Sequence, residues 1–317
     1  MSKAAANKAA PTKARKAATG KPAASKPAVS KPTVCQPAAS QPAIQKTRSS
    51  ASAIPKPAAR PREEVRLHSR VLKCTLETAN SRIFWAESDS EQPMQAEVAF
   101  EAGWFGHRSL SRLRELLNNL RARYAAYPVA LQVLHRWQRM GGDTQKLICH
   151  WHLQLCDPLY RLFSGTFLPD RLLQGHPTVS KQQVVSWLGD VGGGRWAGST
   201  RLQLASKLLT TAHSAGLIQG KRDPRPIVFP LVPDDALTYL LHLLREVEFE
   251  GTLLANPYLL SVGLEGSLLN DRLKRLPDLS YGRQGDLVDM GWKHRDLAEW
   301  AAHSVLGAAE ERELAVA

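Results

Sequence analysis

The sequence changes character near residue 60, and this change limits where a folded core can begin. Residues 1–60 contain nine Lys and three Arg but no Asp or Glu, which gives this segment a net charge of +12. Repeats such as Lys21-Pro22-Ala23 dominate it, and large apolar residues are almost absent. Such a segment cannot bury enough apolar surface to offset the entropy of ordering, and its prolines exclude regular helix. We therefore predict a disordered basic arm.

The rest of the chain distributes its charge unevenly. The whole chain carries +13, so residues 61–317 carry only +1. Within them, residues 106–140 carry +6 and residues 177–232 carry +5, whereas residues 233–317 carry −7. Separated positive segments indicate a polyanionic partner, and the acidic C-terminal part is better suited to docking other proteins. With no signal peptide, no apolar run long enough for a bilayer and no paired cysteine framework, we expect a cytoplasmic protein that contacts no membrane.

The second basic segment, residues 177–232, has the element order of a winged helix. Ser180 and Ser199 fit the N-caps of two successive helices, and Gly216 fits the stop of the second. Apolar residues recur at helical spacing: Val184, Val185 and Leu188 in the first helix, and Leu202, Ala205, Leu209 and Ala212 in the second. Residues 217–229 then predict two short strands around a basic tip.

In a winged helix the second helix can enter the major groove of DNA, and the tip follows the neighbouring phosphates. The side chains predicted to make these contacts are Thr200, Arg201, Gln203, Lys207, Lys221, Arg222 and Arg225. The alternative is a winged helix that serves purely as a protein–protein module. Glycines 192–194 predict a turn rather than a phosphate loop, because no Gly-Lys-Ser/Thr follows them.

The first basic segment predicts an amphipathic helix that starts after Gly106, with Ser109 as its N-cap. Its apolar stripe consists of Leu110, Leu113, Leu117, Leu120 and Tyr124. The arginines beside or opposite that stripe, and predicted to contact DNA, are Arg112, Arg114, Arg121 and Arg123. With residues 96–105 as a supporting helix, this is a candidate helix-turn-helix. The alternative is an ordinary amphipathic helix whose arginine face is solvated.

Two sets of residues suggest metal chemistry, and we interpret both as structural. Cys149, His152 and Cys156 share one helical face, but their apolar neighbours indicate a buried helix, and no second Cys or His cluster completes a zinc site. Asp286 and Asp289 are flanked by Leu287, Val288 and Met290, which predict a short buried element. The sequence contains no nucleophile elbow, HExxH motif or Walker loop, so we expect no metal, no cofactor and no catalysis.

Several stretches occur in an order that resembles a known family. They are the Arg-rich helix after a glycine turn at Gly106–Tyr124, the apolar helix with a Tyr and Phe pair at Leu147–Phe163, Ser199–Leu217, Arg283–Asp289 and Leu297–Trp300. Their order is similar to that of the BrxA family of BREX bacteriophage-defence systems, over about residues 66–302. The resemblance implies a compact, mostly helical fold with helix-turn-helix-like units that bind DNA without known catalysis. The basic arm departs from the short termini of that family.

Together these features predict a mostly α protein with helix-turn-helix and winged-helix units and a small β-wing, preceded by a disordered basic tail. We expect a helical domain at 61–176, a winged-helix-like unit at 177–232, and an acidic helical part with a short hairpin at 233–317. The expected function is that of a non-enzymatic accessory protein of a phage-defence system, which binds double-stranded DNA largely through phosphates and docks other defence proteins through its acidic part.

Two alternatives remain open. One is a nucleoid-associated or RNA-binding structural protein in which the arm does most of the binding, since the composition of the arm resembles the tails of linker-histone-like bacterial proteins. An arm that does not bind nucleic acid would instead be a solubilising tail. The other alternative is an enzyme whose site assembles from residues distant in sequence.

Overall fold

The computed structural model describes residues 60–88, 94–285 and 287–306. Over these ranges the chain is mostly helical, as the sequence predicts, because apolar residues recur at spacings of three and four. Residues 1–59 of the predicted arm lie outside the described residues. No helix in the three described ranges is both long and apolar enough to cross a bilayer.

Most of the helices in the described ranges are short. They are α1 (Thr78–Glu87), α2 (Ala96–Glu101), α3 (Leu110–Tyr124), α4 (Pro128–Arg136), α5 (Gly142–Cys156), α6 (Pro158–Leu162), α7 (Leu168–Leu173), α8 (Lys181–Gly192), α9 (Gly198–Ala215), α10 (Asp234–Glu246), α11 (Pro257–Leu260), α12 (Gly266–Leu273) and α13 (Leu297–Trp300). A 3-10 turn over Arg70–Leu72 precedes α1, and π-helical turns over Phe163–Phe167 and Ala301–Leu306 follow α6 and α13.

The strands form two small antiparallel sheets. β1 (Thr178–Val179) pairs with β2 (Arg225–Pro226), so that a strand preceding α8 joins one following α9. β3 (Leu279–Gln284) and β4 (Leu287–Trp292) form a hairpin in the acidic C-terminal part.

Helix α5 is the centre of the hydrophobic core. Every side chain from Leu147 to Leu155 is buried, which is typical of a helix surrounded by protein on all sides. Helices α1, α3, α9 and α10 pack against it. The core cluster extends from Val71 to Ala301, so the predicted segments 61–176, 177–232 and 233–317 share one core.

An extended segment near the start of the described chain packs against the C-terminal part. Arg62 forms a parallel bridge with Glu248, and the amide of Glu64 donates to the carbonyl of Leu155 at 2.8 Å. The buried Glu63 carboxylate accepts hydrogen bonds from the Tyr258 hydroxyl and, at 2.9 Å, from a backbone amide of the C-terminal part. This segment therefore ties the beginning of the fold to residues almost 190 positions later.

The prediction of one apolar helix over Leu147–Phe163 is wrong. Helix α5 ends at Cys156 because Pro158 has no amide hydrogen to continue the helical hydrogen bonding. Asp157 instead caps the next helix, its carboxylate accepting from the amide of Tyr160 at 3.0 Å. The Tyr and Phe of the pattern, Tyr160 and Phe163, are both buried.

The prediction of a short buried element around residues 285–290 is also wrong. Leu287 is 72% exposed and Val288 is 40% exposed. The reason is that β3 and β4 pair with each other in a two-stranded hairpin, whose end has no covering layer. Asp289 is exposed on the same hairpin, and Asp286 lies outside the described residues.

Candidate nucleic-acid interface

Ser180 is the N-cap of helix α8, as the sequence predicts, and Gln183 completes a capping box with it. The Ser180 hydroxyl accepts from the amide of Gln183 at 3.4 Å, and the Gln183 side chain accepts from the amide of Ser180 at 2.8 Å. Val184 and Leu188 are buried and hold the helix on the core. The helix ends at Gly193, whose φ of +51° lies in the left-handed region that favours glycine.

The connection from α8 to α9 is closely packed because of two glycines. A Cβ on Gly189 would lie 2.6 Å from Nη1 of Arg201, and one on Gly192 would lie 2.7 Å from the ring of Trp196. Helix α9 begins at Gly198 with Ala197 as its N-cap. The prediction that Ser199 caps this helix is therefore wrong, because the backbone is already helical at that position.

The buried face of α9 is shifted slightly from the predicted one. It consists of Leu204, Ala205, Leu208, Leu209, Thr211, Ala212 and Ala215. Leu202 is 46% exposed, contrary to expectation. At about 100° per residue, Leu202 lies about 120° around the helix from Leu208, at the middle of the buried face.

The outer face of α9 presents polar side chains to solvent. Gln203 and Lys207, one helical turn apart, are both exposed, whereas Thr200 and Arg201 are half-buried. The guanidinium of Arg201 lies against Gly189 of α8, which makes it less accessible than Lys207. This face therefore offers an amide and an ammonium group in adjacent positions.

The chain after α9 folds back on itself, but the two strands predicted within residues 217–229 are reduced to a single bridge, and the strand that does form, β2, lies in the predicted tip. Ile218 and Ile227 form an antiparallel bridge, and the amide of Val228 donates to the carbonyl of Leu217 at 2.9 Å. On its other edge the second strand pairs with β1, where the amide of Ile227 donates to the carbonyl of Pro177 at 2.8 Å. The order of elements is thus strand, helix, helix and hairpin, with the first strand joined to the hairpin.

The basic residues at the hairpin tip differ in availability. Lys221 and Arg222 are exposed. Arg225 is turned back and pairs with Asp223, the Nε–Oδ1 distance being 3.0 Å. The other carboxylate oxygen of Asp223 accepts from the amide of Lys181 at 2.7 Å, which joins the tip to the start of α8. The charge of Arg225 is therefore offset, and Lys221 and Arg222 provide the accessible charge.

The first basic segment forms the predicted amphipathic helix, α3, with Ser109 as its N-cap. Two of its four arginines are in exposed ion pairs. Arg112 lies 2.7 Å from a carboxylate oxygen of Glu115, and Arg114 donates twice to Glu97 of α2, at 2.6 and 3.0 Å. Because Glu115 is already included in the net charge of +6, the pair of Arg114 with Glu97 offsets one further charge of this segment.

The prediction that Arg123 contacts DNA is wrong. Arg123 is 1% exposed, because it lies three residues after Leu120 and shares its buried face. Its guanidinium donates to the carbonyls of Leu76 and Thr75 at 2.6 and 2.8 Å. Arg121 is half-buried and donates to the carbonyl of Met94, so it also has a structural partner.

Sequence reasoning missed a group of basic residues near the start of α9. Arg66, Arg70 and Lys73 are exposed, although residues 61–105 carry a net negative charge. The Arg70–Leu72 turn packs against α9, and Arg195, just before α9, donates to the carbonyl of Leu67 at 2.8 Å. The net charge of the segment hid these cations, because Glu63 is buried in the core and the Glu64 carboxylate accepts from the amide of Arg66.

The residues considered for zinc lie on the core helix α5. His152 hydrogen bonds to the hydroxyl of Tyr239 at 2.7 Å, and burial lowers its pKa to about 3. Burial also raises the pKa of Cys156 to about 12 and raises that of Cys149. The described residues contain no group of three or more His, Cys, Asp or Glu side chains arranged to hold a metal.

Among the described residues, two of the cavities have volumes of about 500 Å³ or more. One, of about 510 Å³, has Arg121, His135 and Arg136 in its wall but no carboxylate among the described lining residues. The other is an open groove of about 600 Å³ beside α3, whose described acidic residue, Glu115, is already paired with Lys73 at 2.7 Å.

Comparison with known proteins adds no function to this geometry. The chain matches no protein-family model and no curated protein. What the surface can do therefore follows from the side chains that α9 and the hairpin expose together: Gln203, Lys207, Lys221 and Arg222.

Proposed function

We propose that this protein binds double-stranded DNA through the unit formed by β1, α8, α9 and the hairpin at 217–228, which acts as a winged helix. The observation that carries the proposal is the exposure of Gln203 and Lys207 on the outer face of α9 in the same unit as the basic hairpin tip. The joining of the first strand to the hairpin supports it, because this fixes the tip relative to the helices.

The physical basis is a match of size and charge. An α-helix with its side chains is about 10–12 Å wide, and the major groove of B-DNA is about 12 Å wide. The amide of Gln203 can both donate to and accept from a base edge, while Lys207 can neutralise a phosphate. Lys221 and Arg222 would then contact the neighbouring backbone, which fixes orientation without reading sequence.

We further propose that the chain works as a non-enzymatic accessory protein of a phage-defence system in the cytoplasm. The support for this setting is that the order of the stretches Gly106–Tyr124, Ser199–Leu217, Arg283–Asp289 and Leu297–Trp300 resembles that of the BrxA family, whereas Leu147–Phe163 is not the single helix that the resemblance includes. The net charge of −7 on residues 233–317 would be repelled by DNA, so this part is the proposed docking surface for other proteins of the system.

A gel-shift titration with matched variants tests the proposal. We expect Lys207→Glu to weaken binding of the full-length chain to duplex DNA much more than Lys274→Glu does. Lys274 is an exposed residue at the end of α12, in the acidic part, so the charge change is the same and only the location differs. Lys293 is a poor control because its ammonium pairs with Asp278 at 3.4 Å.

The outcomes separate the alternatives. Equal losses for both variants would show diffuse binding and contradict the winged-helix site. Loss of nearly all affinity on removal of residues 1–56, with no effect of Lys207→Glu, would favour a nucleoid or RNA-binding protein driven by the arm. No binding to duplex DNA at all would leave the helical units as protein-docking modules.

A further inference from the structure

We propose that the groove between the Arg70–Leu72 turn and α3 binds the sugar–phosphate backbone of the same duplex, beside the site proposed for α9. This inference rests on the proposed function and extends its footprint on the DNA. The groove has a volume of about 600 Å³. No apolar side chain is among the described residues that line it.

The lining of the groove is suited to phosphate and sugar oxygens. Side chains that can donate hydrogen bonds are provided by Ser69, Arg70, Lys73, Ser111, Arg114 and Asn118. Hydroxyl, amide, ammonium and guanidinium groups are the usual partners of the DNA backbone. A groove whose described lining residues are all polar or charged is a poor site for an apolar side chain or an apolar small molecule, since such ligands bind mainly to pockets lined by apolar residues.

Among the described residues that line the groove, Arg70 is a cation without a carboxylate partner. Glu115 accepts from both Lys73 and Arg112, each at 2.7 Å. The hydrogen bond from Lys73 is the main cause that lowers the pKa of Glu115. Arg114 is engaged with Glu97 at 2.6 Å. Arg70 is exposed, and no ion pair of its guanidinium occurs among the described residues. The neutralised carboxylate does not repel a phosphate strongly, and Arg70 is available to bind one.

The Arg70–Leu72 turn connects the groove to helix α9. The Arg70–Leu72 turn packs against α9 on one side and forms the wall of the groove on the other. Arg195, at the entry to α9, fixes this connection by donating to the carbonyl of Leu67 at 2.8 Å. The proposal therefore places the backbone of the duplex that receives α9 beside Arg70 as well.

The test compares neutral and conservative variants of one residue in the full-length chain, on a duplex of about 20 bp, or two helical turns. At about 0.1 M salt we expect Arg70→Gln to weaken binding about eightfold and to reduce the salt slope by about 0.9, the effect of one phosphate contact. Arg70→Lys should keep the wild-type slope because the charge stays. Lys274→Gln is the matched control and should change neither quantity.

A hydroxyl-radical footprint locates the contact on the DNA. Arg70→Gln should lose protection at one end of the wild-type footprint, whereas Lys207→Gln should lose protection at its centre. If Arg70→Gln behaves like Lys274→Gln while Lys207→Gln weakens binding, the groove proposal is wrong and the α9 site stands. A larger loss on single-stranded RNA than on duplex DNA would also overturn it. Failure of the wild-type chain to bind duplex DNA overturns both proposals.

Discussion

At the scale of single residues, burial decides what each arginine of α3 does. Arg123 is enclosed in the core and binds two backbone carbonyls, whereas Arg112 remains in water beside Glu115. The carbonyls belong to Thr75 and Leu76, just before α1. The sequence pattern of α3 itself cannot predict these partners. An arginine next to an apolar stripe is ordinarily solvated, so the sequence alone predicts the wrong role for Arg123.

The buried and exposed arginines should therefore differ in their effect on stability. Replacing Arg123 by Ala should lower the free energy of unfolding by about 3 kcal/mol, because it leaves two buried carbonyls unpaired and a cavity beside them. Arg112→Ala removes an exposed ion pair and should cost less than about 1 kcal/mol. Urea denaturation followed by circular dichroism measures both. Equal costs would mean that the Arg123 hydrogen bonds are not formed in solution.

His150 should make stability depend on pH. Its ring nitrogens bond to the hydroxyls of Tyr160 and Ser261, both at 2.9 Å, and burial lowers its pKa to about 3. The unfolded chain binds a proton near pH 6.5, so between about pH 6.5 and 3 it holds more protons than the folded chain. The free energy of unfolding therefore falls as the pH falls, by about 1.4 kcal/mol per pH unit for this residue.

The contribution of His150 can be isolated by substitution. His150→Gln should reduce the fall in the free energy of unfolding between pH 7 and 4.5, measured by urea denaturation at several pH values. His176→Gln, at an exposed position, is the control and should leave the pH dependence unchanged. An unchanged pH dependence in His150→Gln would show that the imidazole is already accessible to protons in the folded state.

At the scale of elements, the sequence predicts local features well and junctions poorly. The caps at Ser109 and Ser180 could be predicted because a serine side chain and the amide three residues later determine them. The reversal of the chain after α9 could be predicted from two short apolar runs around a polar tip, but the position of β2 within that tip could not. The exposure of Leu202 could not be predicted, because it depends on how α9 is rotated about its axis against the core. The spacing of apolar residues determines that rotation only to within about one residue.

Close approach of two elements at Gly165 gives a prediction at this scale. A Cβ at this position would lie 2.5 Å from both Cβ and O of Pro257, the first residue of α11. The neighbour is partly backbone and cannot move aside, so Gly165→Ala should destabilise the protein by about 1–3 kcal/mol. Gly142→Ala, in the first turn of α5 with open space around it, should instead be neutral or stabilising by up to about 1 kcal/mol. Thermal denaturation of both variants measures these effects. A Gly165→Ala protein as stable as the wild type would mean that Gly165 and Pro257 are further apart in solution than in the structure.

At the scale of the whole molecule, the features that sequence could not predict are contacts between distant segments. Arg62 pairs with Glu248, and Tyr258 donates to the carboxylate of Glu63, although these partners are 186 and 195 positions apart in the sequence. The same kind of contact brings the Arg70–Leu72 turn to α9 and creates the basic groove. No local periodicity encodes such pairs. The net negative charge of residues 61–105 therefore did not predict that Arg66, Arg70 and Lys73 form a basic surface beside α9.

These contacts predict where the chain can be shortened without loss of stability. A chain that begins at Pro57 retains every described contact of residues 62–64 and should keep the melting temperature of the full-length protein within about 2 °C, since the sequence before it offers little apolar surface to bury. A chain that begins at Arg66 loses Glu63, the buried hydrogen-bond acceptor of Tyr258, and the bond from the amide of Glu64 to Leu155.

The second truncation should therefore be costly although it removes only nine more residues. Leaving the Tyr258 hydroxyl buried without a partner and removing the backbone bonds of the segment should cost about 3 kcal/mol, or roughly 10 °C in melting temperature for a protein of this size. Glu63→Gln in the full-length chain keeps an acceptor for Tyr258 and should fall between the two truncated chains. Calorimetry on the three proteins gives the order. A clear drop already in the chain that begins at Pro57 would show that the basic arm packs on the core, which its composition does not predict.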